Sequence, residues 1–188
     1  TLLGLGAICG FTLGYLAGSR RGPAVAVACA SAGFLVVAIA VQPFLEVPFP
    51  VLAVLVVATI AGVLRLLPAS TGTGTAIEHP SWDLPARVVV GTILVLGLTT
   101  IAPLLGPVTS GLVATFPVYV AVLAVFEHLR AGRAAALGVL RGLLTGLFGT
   151  VAFYVVIRAL ILPAGIAVAF TAAIAVTAVV GAASLRVV

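Results

Sequence analysis

Glu127 and His128 stand side by side, and Arg130, Arg133 and Arg141 follow them within one short stretch. A carboxylate, an imidazole and three guanidiniums this close together can pair charges, move a proton or bind an anion. Arg141 is expected about two turns inside an apolar helix. A cation at membrane depth is costly, so it should face protein or a water-filled cavity and find a partner. Glu127 is the expected partner. One reading is a static ion pair that ties two helices together. The other is a gate, or an anion or proton site, with His128 as the group whose ordinary pKa lies near physiological pH.

A second group lies just upstream. Thr109, Ser110, Thr115 and Tyr119 supply hydroxyls around Pro117, with Pro103, Gly106 and Pro107 before them and Thr99 and Thr100 nearby. Pro117 is expected well inside a helix, where proline frees a carbonyl. Broken helices at membrane depth line cavities and binding sites in transporters. The plainer alternative is a kink whose hydroxyls bond back to the backbone. Together, Glu127, His128, Arg141, Thr109, Ser110, Thr115, Pro117 and Tyr119 form the expected substrate or ion pathway.

Glu78, His79, Asp83, Glu127 and His128 fit no metal-binding spacing. No serine or cysteine is paired in sequence with either histidine. No metal, cofactor or catalytic residue is therefore expected. Cys9 and Cys29 lie in apolar runs and read as small buried residues. The loop Ala69–Ala76 lacks the GK[ST] of a phosphate-binding loop. Asp83 or Ser81 is placed to cap the helix that follows, with Pro85 in its first turn and Trp82 at an interfacial position.

The elements that carry these groups are almost pure hydrocarbon. Apolar residues make up 63% of the 188 residues and charged residues 7%. Soluble domains carry roughly 25% charged residues, so the bilayer is the expected solvent and partner. The net charge of +5 comes without a basic run or stripe, so it is no evidence of a nucleic-acid partner, and none is expected. All nine basic residues are arginine, and there is no methionine. The native initiator is therefore expected to lie before Thr1.

A spanning helix needs about 20 mainly apolar residues. Seven runs qualify: Leu2–Gly18, Pro23–Val41, Pro48–Leu67, Pro85–Leu105, Val108–Leu129, Ala134–Leu162 and Ala164–Leu185. The expected fold class is thus all-α, a polytopic bundle of seven transmembrane helices in one domain, residues 1–188. Residues 1–68 carry helices one to three, residues 69–84 a cytoplasmic loop, and residues 85–188 helices four to seven. Threaded through a membrane, this count puts arginines eight to one on a single side. The positive-inside rule makes that side the cytoplasm, with the amino end outside and the carboxyl end inside.

Gly6, Gly10, Gly14 and Gly18 form a smooth stripe on the first helix. Gly138, Gly142 and Gly146 form another on the sixth. In lipid, close backbone approach has to supply helix association, so both stripes are expected to pack helices. Helices one to three and five to seven can be read as parallel repeats in a 3+1+3 arrangement. That topology resembles SWEET-type sugar transporters.

Ser110-Gly111-Leu112, Phe116-Pro117, His128 and Leu140-Arg141 resemble the pattern of the small GlpM-like bacterial membrane proteins. The resemblance covers helices four to seven. It implies a bacterial inner-membrane setting associated with envelope polysaccharide, and it leaves the activity open. The expected function is a permease or flippase-like transporter of a polar or anionic, envelope-related solute. The alternative is a non-catalytic accessory subunit of a larger membrane complex. Either could assemble as a homo-oligomer or with other membrane subunits.

Overall fold

A computed structural model of the chain describes residues 2–41, 47–68, 82–101 and 115–185. Their regular secondary structure is all helical, with no strand among the described residues. The elements are α1 (Leu2–Gly18), a 3-10 turn at Ser19–Arg21, α2 (Pro23–Ala40), α3 (Phe49–Leu66), α4 (Asp83–Ile101) and α5 (Val118–Leu185). Among the described residues, five helices are therefore long and apolar enough to cross a membrane, rather than the seven expected. The difference lies in α5, one helical stretch of 68 residues covering most of expected helices five to seven. The expected break at Gly106–Pro107 lies outside the described residues.

A straight helix of that length would reach about 100 Å, against a hydrocarbon core of about 30 Å. α5 is not straight. Gly132 (φ 82°, ψ −177°) and Gly165 (φ 79°, ψ 171°) both leave helical geometry. Glycine alone adopts this backbone region readily, because it has no Cβ. We call the resulting segments α5a (118–131), α5b (133–164) and α5c (166–185). The chain reverses at Gly165. Thr177 Oγ1 donates to Gly149 O at 3.3 Å, and Phe153 packs edge-on against Phe170 with centroids 6.0 Å apart. Residues 28 apart on a straight helix would be roughly 42 Å apart.

α1 is the axis of the bundle. Its residues are apolar on every face, as suits a helix enclosed by others, and Phe11, Tyr15 and Ala7 are fully buried. α2 runs antiparallel to it. A Cβ added at Gly10 would sit 2.6 Å from Gly33 O, one at Gly14 would meet the Cys29 carbonyl, and one at Gly18 would lie 2.8 Å from Val25 O. Close backbone approach thus explains Gly10, Gly14 and Gly18. The stripes are not uniform, however. A Cβ at Gly6, Gly142 or Gly146 would meet nothing within 4 Å. Gly142 and Gly146 are exposed, so the α5b stripe does not hold this chain together at those two positions.

This contrast predicts opposite outcomes for two substitutions. Gly14→Leu should abolish recovery of monodisperse protein, because the new side chain would displace the α2 backbone. Gly142→Leu should leave the yield unchanged. Size-exclusion profiles of the two purified variants check both.

α5a runs parallel to α1: Phe11 meets Phe116, Tyr15 meets Ala124, and Ser19 meets Arg133. α5b runs antiparallel to α3. Arg158 lies over the Phe49 ring at 5.1 Å, while Arg141 bonds to Leu64 and Leu67 at the other end. α4 is the outlier, since beyond Asp83 none of its residues is buried.

Candidate functional site

Apart from Arg158, the described charged side chains lie toward one end of the bundle, and three groupings there hold Asp83, Arg87, Glu127, His128, Arg130, Arg133 and Arg141. The first is a chain of four ion-paired residues between α4 and α5a. Arg87 Nη2 donates to Glu127 Oε1 at 2.8 Å. Arg87 Nε lies 2.9 Å from Asp83 Oδ2, one helical turn away. Arg130 Nη1 reaches the same Asp83 oxygen at 3.2 Å. The Arg87 Nε contact is misaligned as a hydrogen bond, so its contribution is coulombic. Arg87 also lies 5.2 Å over the Phe126 ring. Two carboxylates balance two guanidiniums, which is how charges are tolerated away from water.

The second place is the imidazole of His128. Tyr15 Oη is 3.0 Å from His128 Nδ1 and 3.1 Å from the Ala124 carbonyl. A hydroxyl has one hydrogen. When it goes to Ala124 O, His128 Nδ1 must carry a proton and act as the donor. Nearby, Arg133 Nε donates to Ser19 Oγ at 2.7 Å, which closes the junction between the end of α1 and the start of α5b.

The third place surrounds Arg141. Its Nη1 donates to Leu64 O and Leu67 O, each at 3.3 Å. These carbonyls lie at the end of α3, where helical carbonyls lack partners and a cation is favoured. Arg141 Nε is buried without a hydrogen-bond partner among the described residues. Beside it lies a cavity of about 530 Å³ between α3, α5b and α5c. Ala61, Leu64, Phe148, Val180 and Ala183 make its walls apolar. Its polar side chains are Arg65, Arg141, Thr145 and Ser184.

Several expectations change. Glu127 is not the partner of Arg141, because α4 brings Arg87 to it and α3 offers Arg141 its terminal carbonyls. The side-chain partner of His128 is Tyr15. Pro117 is not inside a helix: α5 starts at Val118, and Ala121 N–H bonds to Pro117 O at 2.8 Å. In that place its missing N–H disrupts no helical bond. Tyr119 is exposed and lines a second, apolar groove of about 380 Å³ with Arg87, between α4 and α5a. Thr115 lies against α1, where a Cβ at Gly4 would be 2.7 Å from its methyl group. Thr99 and Thr100 donate to the carbonyls four residues back, at 2.7 and 2.8 Å. Thr109 and Ser110 lie outside the described residues, as do Glu78, His79 and Ser81. Among the described residues no three His, Cys, Asp or Glu side chains are grouped to hold a metal.

Arg87, Arg65 and Tyr15 were not among the expected site residues. The spacing of four between Asp83 and Arg87 is a readable signal for a helical ion pair. Nothing local points from Tyr15 to His128, which lies 113 residues away. No family model, curated protein or solved structure matches this chain.

Proposed function

We propose that this chain is a multi-pass membrane protein that acts as a permease or flippase-like transporter of an anionic solute. The observation that carries this reading is the charge balance around the Arg141 cavity. Both carboxylates among the described residues, Asp83 and Glu127, are engaged with Arg87 and Arg130. Arg65 and Arg141 line the cavity with no described carboxylate beside them. Two cations with no counter-charge among the described residues, on an apolar wall, favour a negative charge entering from outside the chain.

On this reading the chain crosses the membrane seven times, three of them within residues 108–185 and separated at Gly132 and Gly165, with the arginine-rich end in the cytoplasm. The GlpM-like resemblance supports a bacterial inner-membrane setting. The open faces of Gly142 and Gly146 favour the second reading, an accessory subunit docked to a membrane partner. A partner that co-purifies at fixed stoichiometry would support it.

Topology is tested with single cysteines at Glu46 and Gly72, in a background with Cys9 and Cys29 replaced. The two should label from opposite faces of the membrane, Gly72 from the cytoplasm. Labelling of both from one face excludes seven crossings. Transport is tested in proteoliposomes with a fluorescent anionic phospholipid and with a water-soluble organic anion. Flux of neither excludes the permease reading.

A further inference from the structure

We infer that the Arg65–Arg141 cavity is a binding site for an anionic phosphate group carried on an apolar tail, that is, an anionic phospholipid-like amphiphile. This inference rests on the permease reading for the direction of its use, but the binding itself can be judged separately.

Donor chemistry limits what the site can take. Thr145 Oγ1 donates to Arg141 O at 2.9 Å, and Ser184 Oγ donates to Gly181 O at 2.8 Å. Both hydroxyl hydrogens are therefore committed, and these groups offer only lone pairs to a ligand. The two guanidiniums are the remaining polar side chains of the lining, and they are donors without acceptor capacity. A ligand that engages the guanidiniums must be an acceptor, and two cations with no carboxylate beside them among the described residues favour an anion. Arginine forks match the geometry of phosphate oxygens.

Arg141 is already half oriented for this role. Its Nη1 is anchored on Leu64 O and Leu67 O, while its buried Nε has no described partner. An unpaired buried donor is costly, and a phosphate oxygen would remove that cost. Arg65 sits in the last turn of α3 and is exposed, where an arginine can reach the headgroup level of a leaflet.

The rest of the lining says what the anion is attached to. A free inorganic anion has no use for walls of Ala61, Leu64, Phe148, Val180 and Ala183. The volume of about 530 Å³ is in the range of pockets that enclose whole organic ligands. An acyl chain fills such a space favourably, and the anionic headgroup stays at the arginines. Arg158, by contrast, lies over Phe49 toward the opposite end of α3, so the headgroup end of the site is defined.

The test is native mass spectrometry of the purified protein with defined additions of phosphatidylglycerol, phosphatidylcholine, glycerol phosphate and inorganic phosphate. The wild type should retain phosphatidylglycerol in preference to phosphatidylcholine, and neither tail-less phosphate should displace it at equal concentration. Arg65→Gln should weaken retention about tenfold, the low end for a hydrogen bond to a charged group. Arg65 serves as the primary variant because Arg141→Gln also strips the end of α3 and is open to a folding loss. Ala183→Phe narrows the apolar part with both arginines intact and should weaken long-chain lipid more than short-chain lipid. Equal retention of the two phospholipids overturns the inference. So does displacement by inorganic phosphate, or an unchanged Arg65→Gln protein. Lipid binding without flux would leave this site standing and remove the permease reading. Flux of the water-soluble anion without lipid retention would do the reverse.

Discussion

Arg87→Gln is expected to lower the stability of the folded bundle by about 3 kcal/mol, near the low end of the range for breaking a buried pair. The argument is the charge sum of the α4–α5a network. Asp83 and Arg87 retain only 5% and 11% of their side-chain surface, Arg130 15% and Glu127 24%. Removing Arg87 leaves two carboxylates with one guanidinium away from water. Glu127→Gln leaves the opposite excess and should destabilise by a comparable but smaller amount, because Glu127 is the most exposed of the four. The double variant restores neutrality, with Asp83 still held by Arg130, and should recover more than half of the loss. Denaturant titration of the four purified proteins measures the cycle. Additive losses would show that the two side chains do not interact. The element most affected should be α4, because Asp83 is its one fully buried residue and the ion pairs are its main tie to α5a. Loss of protection from proteolysis confined to residues 82–101 would be the local sign of the same event.

Under the proposed permease function, Arg141→Gln is expected to reduce anion flux by about tenfold or more, corresponding to ~1.4 kcal/mol. Arg141→Lys should keep part of the flux, since the charge remains while the planar fork is lost. Glu127→Gln provides the contrast. If Arg141 and Glu127 formed one site, as their sequence proximity suggests, Glu127→Gln would depress flux as strongly. In the structure Glu127 is bound to Arg87 and lines neither the cavity nor its rim. Its substitution should therefore change stability and leave flux per folded molecule unchanged. Flux normalised to folded protein in proteoliposomes separates the two cases.

Much of the architecture is local chemistry and can be read without coordinates. Sixty-three per cent apolar residues with 7% charged leave a helical membrane bundle as the natural fold class. Pro23 at the first turn of α2 and the short motifs Arg-Ala-Gly-Arg and Leu-Pro-Ala-Gly mark places where helical geometry starts or fails. The Asp83–Arg87 pair was equally readable, as two opposite charges one turn apart. Which helix faces which was not readable. α1, α2 and α4 are apolar nearly all round, so their periodicity names no preferred neighbour. Neighbours are selected instead by where two backbones can touch, as at Gly10 and Gly33, and by where a polar group finds its complement across the bundle. For Glu127 that complement came from α4, 40 residues upstream, and for Arg141 from the carbonyl end of α3, 74 and 77 residues upstream. Proximity along the chain suggested that these two charges would meet. Packing separated them, because each found its partner on another helix.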